Sequence, residues 1–123
     1  MKLPNLQAMT VDQLVDIFSE IAIAQDRAIT RGENSKFNRL FEQMAAVCEE
    51  LRCRDGDQRV ALLKLFNSNN MYVRLIAAKK TLAVSRNEAR AQLEAIVASK
   101  WYPQSAEAAT SLWNLDRGVF KPK

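Results

Sequence analysis

Between Met71 and Val84, apolar side chains fall on nearly every side of the helix this stretch would form: Val73, Leu75, Ile76, Ala77, Ala78, Leu82, Ala83 and Val84. A helix at the edge of a bundle keeps one wide polar face, so a helix apolar all round must be covered by neighbours on more than one side. Its alanines let those neighbours approach closely. A chain containing this segment therefore has to stack helices around it.

The remaining sequence supplies such helices. Only three glycines and three prolines interrupt a chain rich in Ala, Leu, Arg, Gln and Glu, which argues against a sandwich or barrel and predicts an all-α fold. The 123 residues amount to a single domain, 1–123. Thr10-Val-Asp-Gln13 is a capping-box pattern, and Val11, Leu14, Val15, Phe18, Ile21, Ala22 and Ile29 keep helical spacing until Gly32. After an N-cap at Ser35, the residues Phe37, Leu40, Phe41, Met44, Cys48 and Leu51 mark a second helix. The two predict an antiparallel hairpin over 10–54. Asp57 caps a short third helix from Gln58 to about Phe66 with Val60, Leu63 and Phe66 inward. The fourth spans Met71–Val84, a fifth starts at Ser85 or Asn87 and runs to about Lys100, and a sixth begins at Pro103.

Residues recur at a spacing of 30: Ala61 with Ala91, Leu63 with Leu93, Tyr72 with Tyr102, Ala78 with Ala108, Leu82 with Leu112. Each unit would be a helix, a turn and a second helix, so 57–117 holds two stacked units and the N-terminal hairpin caps them. This stacking predicts burial of Leu63, Ile76, Ala77, Leu82, Leu93 and Leu112, and a core position for Trp113.

The polar turn followed by Val73-Arg74, Ala77-Ala78 and Leu82 resembles the second helix of a HEAT repeat. Residues 57–84 carry the likeness well and 88–116 weakly, since Pro103-Gln104 stands where valine and arginine would. The whole chain also resembles a small bacterial HEAT-like family known as a domain of unknown function, DUF2019. Gln13-Leu14-Val15 with Phe18, Ala24-Gln25-Asp26, Asn38-Arg39-Leu40, Gly56-Asp57-Gln58-Arg59, Val73-Arg74-Leu75 and Tyr102-Pro103-Gln104 carry that resemblance. It implies a short HEAT-like α-solenoid, an α-α superhelix of about six helices, and carries over no statement about function.

No chemistry stands out. The chain has no histidine, no glycine-rich phosphate loop and no paired-carboxylate motif, so no catalytic residues are assigned and an enzyme is not expected. Glu49-Glu50 and Asp55-Asp57 read as a solvated helix face and a helix cap. Two cysteines without histidine cannot complete a zinc site, so neither a metal nor another cofactor is expected. Cys48 reads as core and Cys53 as a helix-end thiol. Five residues apart on one helix they point away from each other, which fits free thiols in a reducing compartment. The first residues, MKLPNLQAM, do not make a secretory signal, and no run approaches the length of a membrane span, so a soluble cytoplasmic protein is expected.

Arg74 reads as a structural tie from its helix to the turn asparagines, with ligand contact as the alternative. Charge is uneven: residues 1–50 carry five basic and eight acidic side chains, 51–123 thirteen and six, or −3 against +7. Either this is a solvated surface or it attracts an acidic partner or nucleic acid. Tyr72 and Lys79 share a stripe on the fourth helix, and the repeat places them near Trp101 and Tyr102. These aromatics either cover turns or anchor contacts. The reading reached is a non-catalytic protein-interaction module, monomeric or weakly dimeric, whose partner-binding residues are Tyr72, Lys79, Lys80, Trp101 and Tyr102. An antitoxin-like or immunity protein is one version of it. The alternative is nucleic-acid-backbone binding through the basic C-terminal half.

Overall fold

The computed structural model describes residues 2–123, Met1 lying outside them, and every regular element among these is helical. The chain is all-α. It divides into two compact units, one ending at Ala61 and the other spanning Leu62–Lys123.

The first unit is built on α1 (Val11–Arg31) and α2 (Asn34–Cys53). The expected capping box forms: Thr10 Oγ1 accepts from the Gln13 backbone N–H at 3.1 Å, and Gln13 Oε1 accepts from the Thr10 N–H at 2.8 Å. Gly32 ends α1 at φ 68°, in the left-handed region that a glycine enters without Cβ strain. The second helix starts one residue before the expected cap, with Glu33 at the N-cap and no side-chain cap bond.

Leu14, Val15, Phe18, Ile21, Ala22, Gln25 and Ala28 of α1 are buried, as are Leu40, Met44, Val47 and Leu51 of α2, each set following the three-or-four spacing of one helix face. Ile29 and Phe41, expected inward, are exposed, and Cys48 is half-buried rather than core. Phe41 stands about 100° round from Leu40, and a helix in a hairpin has only one covered stripe. Arg54 ties the 3-10 turn Leu6–Ala8 to the end of α2, donating to Leu6 O at 3.1 Å, Met9 O at 2.8 Å and Glu50 Oε2 at 2.6 Å.

Gln58–Asn67, expected as an α-helix, is a 3-10 helix. With three residues per turn its inward phase changes: Leu62 is buried, Leu63 and Phe66 are half-buried, and Val60 is exposed.

The second unit contains α3 (Met71–Thr81), α4 (Arg86–Ser99) and α5 (Gln104–Asp116). Asn70 caps α3, its Oδ1 accepting from the Val73 N–H at 3.1 Å. Leu75, Ala78 and Leu82 meet Ala89, Leu93 and Ile96 of α4 and Ala108 and Leu115 of α5 in one cluster, with Phe66, Met71, Val97 and Leu112 at its margin. Four consecutive buried residues, Leu75 to Ala78, make a full turn, so α3 is covered all round as its composition requires. Buried Thr81 satisfies its hydroxyl against the carbonyls of Ala77 and Ala78, at 2.9 and 3.1 Å. The helix stops there, three residues short of Val84, and the Val84 and Ser85 N–H groups both return to Thr81 O.

Of the positions expected inside, Ile76, Ala77, Leu82 and Leu93 are buried, whereas Leu63 and Leu112 are half-buried. Trp113 is 60% exposed, which overturns its expected core position. It lies two residues from buried Leu115, hence about 200° away on the opposite side of α5.

Candidate interaction surface

Lys100 closes α4 in the left-handed conformation (φ 57°), and the next two residues, Trp101 and Tyr102, stand out from the turn at 62% and 79% exposure. The turn itself is pinned. Trp101 N–H donates to Ser99 Oγ at 3.1 Å, and Trp101 O accepts from the Ser105 N–H at 2.9 Å in the first turn of α5. Pro103, following a cis peptide bond, takes the N-cap position, where its missing N–H costs nothing.

Along α5 the exposed residues Ala106, Ala109, Thr110 and Trp113 recur at helical spacing and so share one face. Thr110 turns its hydroxyl to Ala106 O at 3.1 Å, so its one polar group is satisfied inside the helix. Arg117 lays its guanidinium over the Trp113 ring, 4.5 Å from the centroid, a cation–π contact.

Both acidic residues of α5 are engaged from behind. Glu107 Oε2 accepts from Lys79 Nζ of α3 at 3.0 Å. Asp116 takes a bidentate pair from Arg90 of α4 at 2.6 and 3.0 Å. The Arg90 hydrogen bond holds the Asp116 carboxyl below its ordinary range and raises the guanidinium in turn.

Gly118, at φ 72°, reverses the chain so that the Val119 and Phe120 N–H groups bond Asn114 O at 3.0 and 3.2 Å. Phe120 thereby joins Lys79, Leu82, Ser111 and Asn114 around a shallow cavity of about 210 Å³.

The structure thus brings Lys79 to α5 through Glu107, and it places Trp101 and Tyr102 at the start of the same helix. Tyr72 does not join them, because it is buried in α3 at 7% exposure and presents no ring to a partner. Lys80 is half-buried on α3. Arg74 reaches α4: with its amide oxygen turned toward the guanidinium, Gln92 accepts from Nε and Nη2, both at 3.0 Å. Sequence reasoning missed Trp113 and Phe120 as surface residues. Arg117, four residues after Trp113, was the available signal for a tryptophan on a solvated face.

In the first unit two ion pairs join close neighbours in the chain around the end of α2. Arg52 grips Glu49 at 2.5 and 2.9 Å and pulls its carboxyl down to about 2, and Asp57 is likewise lowered by its hydrogen bond from Arg59. Cys53 Sγ donates to Glu49 Oε1 at 3.4 Å, which raises the thiol pKa. Among the described residues no three His, Cys, Asp or Glu side chains gather as metal ligands, and no helix is long and apolar enough to cross a membrane.

No curated protein matches this chain. The crystal structure of the protein RPA1889 from Rhodopseudomonas palustris CGA009 is similar to it throughout. The two share 54% identity and a TM-score of 0.92, over 99% of this chain and 100% of that one. Residues 12–116 match the family described as Domain of unknown function (DUF2019). Since that match runs from the second residue of α1 to the last of α5, across both compact units, the chain belongs to the DUF2019 family.

Proposed function

We propose that this chain is a non-catalytic protein-binding module whose contact surface is α5 and the turn leading into it. The observation that carries the reading is the strong exposure of Trp101, Tyr102 and Trp113 on that one element. Large aromatic rings left in water are costly on a protein that has no use for them, and they are the side chains that most often anchor interfaces. Absence of catalysis is part of the proposal. The chain has no histidine, and Glu49, Asp57 and Asp116 are held low by arginines, opposite to the raised carboxyl that a general acid needs. A short HEAT-like stack fits the 30-residue recurrence, in which Ala78 and Ala108 enter the same cluster. Cys48 and Cys53, neither of them in a disulfide, fit a cytoplasmic setting, and the monomer or weak dimer is retained.

The test is affinity capture from the native cell with the full chain beside its Trp113→Ala and Tyr102→Ala variants. A protein retained by the parent and lost from both variants supports the reading. Capture that ignores both substitutions sinks it.

One observation favours a second reading: residues 62–123 carry ten basic and four acidic side chains, a balance of +6. Nucleic-acid-backbone binding would show as steeply salt-dependent affinity, about 0.9 log unit per phosphate contact on duplex DNA. We expect duplex binding weaker than ~10 μM at physiological salt, since non-specific contacts reach little further. Tighter binding lost on Lys80→Glu would reverse the order of the two readings.

A further inference from the structure

We infer that the exposed face of α5 docks an acidic amphipathic helix of another protein, an inference that rests on the protein-binding reading above. The face has a defined relief. Tyr102 stands at one end and Trp113 at the other, with Ala106, Ala109 and Thr110 between them. From Ala106 to Trp113 the helix rises about 10.5 Å, so the small residues form a saddle about two turns long between aromatic ends. Small side chains in a saddle admit a crossing helix at the short end of the 8–10 Å interaxial range. A helix surface has no free strand edge to pair with an extended peptide, so a second helix is the element that fits.

Charge selects which helix. The carboxylates nearest this face are already neutralised from behind: Glu107 by Lys79 and Asp116 by Arg90. Two cations flank the helix, exposed Lys100 in the turn before its first residue and Arg117 stacked on Trp113 at its far end. A guanidinium held flat on an indole still presents its edge, which suits a carboxylate on the incoming helix. The same pattern disfavours the other occupants. In a symmetric pairing of two copies, Lys100 and Arg117 of one chain would face those of the other, like against like. A duplex would meet alanines along the saddle rather than the row of cations that follows a phosphate backbone.

The test uses two 16-residue helix-favouring peptides with one identical Leu/Ala face, one bearing Glu and the other Lys on the polar positions. Each is labelled and titrated with the full chain by fluorescence anisotropy. The expected result is saturable binding of the Glu peptide, at least tenfold tighter than the Lys peptide. Ala109→Arg, which fills the saddle on an exposed position, should weaken it tenfold or more, and Arg117→Glu should erase the preference for Glu. Failure of the Glu peptide to bind, equal binding of both peptides, or indifference to Ala109→Arg overturns the inference. So does concentration-dependent dimerisation abolished by Ala109→Arg, which would give the face to a second copy, or displacement of the peptide by duplex DNA. The broader reading fails separately: a captured partner that depends on Trp113 but ignores Ala109→Arg removes only the acidic helix, whereas no Trp113-dependent partner removes both.

Discussion

The two compact units solve the same packing problem differently. In the first, α1 and α2 are 21 and 20 residues long, and each buries one stripe against the other. Three of its ion pairs join residues two to four apart, Glu49 with Arg52, Glu50 with Arg54 and Asp57 with Arg59. In the second, three helices of 11 to 14 residues share a cluster, and beside the local pair Arg90–Glu94 within α4, two ion pairs cross between helices: Lys79 to Glu107 and Arg90 to Asp116. Exposed aromatics follow the same division, Phe41 alone in the first unit against Trp101, Tyr102, Trp113 and Phe120 in the second. Long helices with local pairs bury their apolar residues economically. The short helices of the second unit bury Leu75 and Ala78 of α3 in their cluster and leave the last helix with an outward face, which is where a binding surface has room to exist.

The comparison can be broken most severely through the cores. Phe18→Ala, in the hairpin, should cost ~3–5 kcal/mol and Leu93→Ala, in the cluster, ~2–5 kcal/mol, because both side chains are fully buried. Urea denaturation followed by circular dichroism checks this, and a midpoint unmoved by either change would mean the residue does not centre its unit.

Overpacking probes the layered unit more gently. Ala78→Leu should lose ~1–3 kcal/mol, since Ala78 is wholly buried in the cluster, while Ala45→Leu on the exposed side of α2 should leave the midpoint almost unchanged.

The caps come next. Thr10→Ala and Asn70→Ala each remove a side-chain bond to a helix N-terminus and should cost ~1 kcal/mol, one in each unit. Glu33→Ala and Ser85→Ala, at N-caps without such a bond, should have clearly smaller effects in the same thermal melts.

The smallest effects sharpen the contrast at the surface. Trp113→Ala should change stability by no more than ~0.5 kcal/mol in spite of the side chain's size, as surface substitutions do. Acrylamide should quench both tryptophans in the native protein nearly as well as in urea. A strongly protected tryptophan would restore the core reading of Trp113. In the first unit, Cys53 is exposed yet should alkylate slowly, because the Glu49 carboxylate accepts its S–H and disfavours the thiolate. Glu49→Gln removes that charge, lowers the thiol pKa and should speed labelling at neutral pH several-fold.

What could be read from residues alone was what depends on near neighbours in the chain. The Thr10–Gln13 capping box, the Gly32 stop, the hairpin stripe and the fully buried turn of α3 from Leu75 to Ala78 follow from spacing and backbone preference, so they were legible together with the all-α class and the family. Local pattern also misleads in definable ways. Phe41 and Ile29 are apolar and nearly in phase, but a hairpin covers only one face, and spacing does not say how wide that face is. The 58–67 segment has α-like composition, and its 3-10 winding moved burial from Leu63 to Leu62.

The candidate surface belonged to the second kind of information. Tyr72 and Tyr102 are equivalent by the 30-residue recurrence, yet one is buried and the other almost fully exposed, because Tyr72 lies on a covered side of α3 and Tyr102 in the open turn before α5. That Lys79 would reach Glu107, 28 residues away, and Arg90 Asp116, 26 away, depends on which helices lie side by side. The five α-helices, the caps at Thr10 and Gly32 and the need to stack them follow from interactions within a few residues. Only the tertiary structure decided which side of α5 faces the cluster, and with it whether Trp113 is core or surface, because burial is a property of the neighbours a residue acquires and not of the residue.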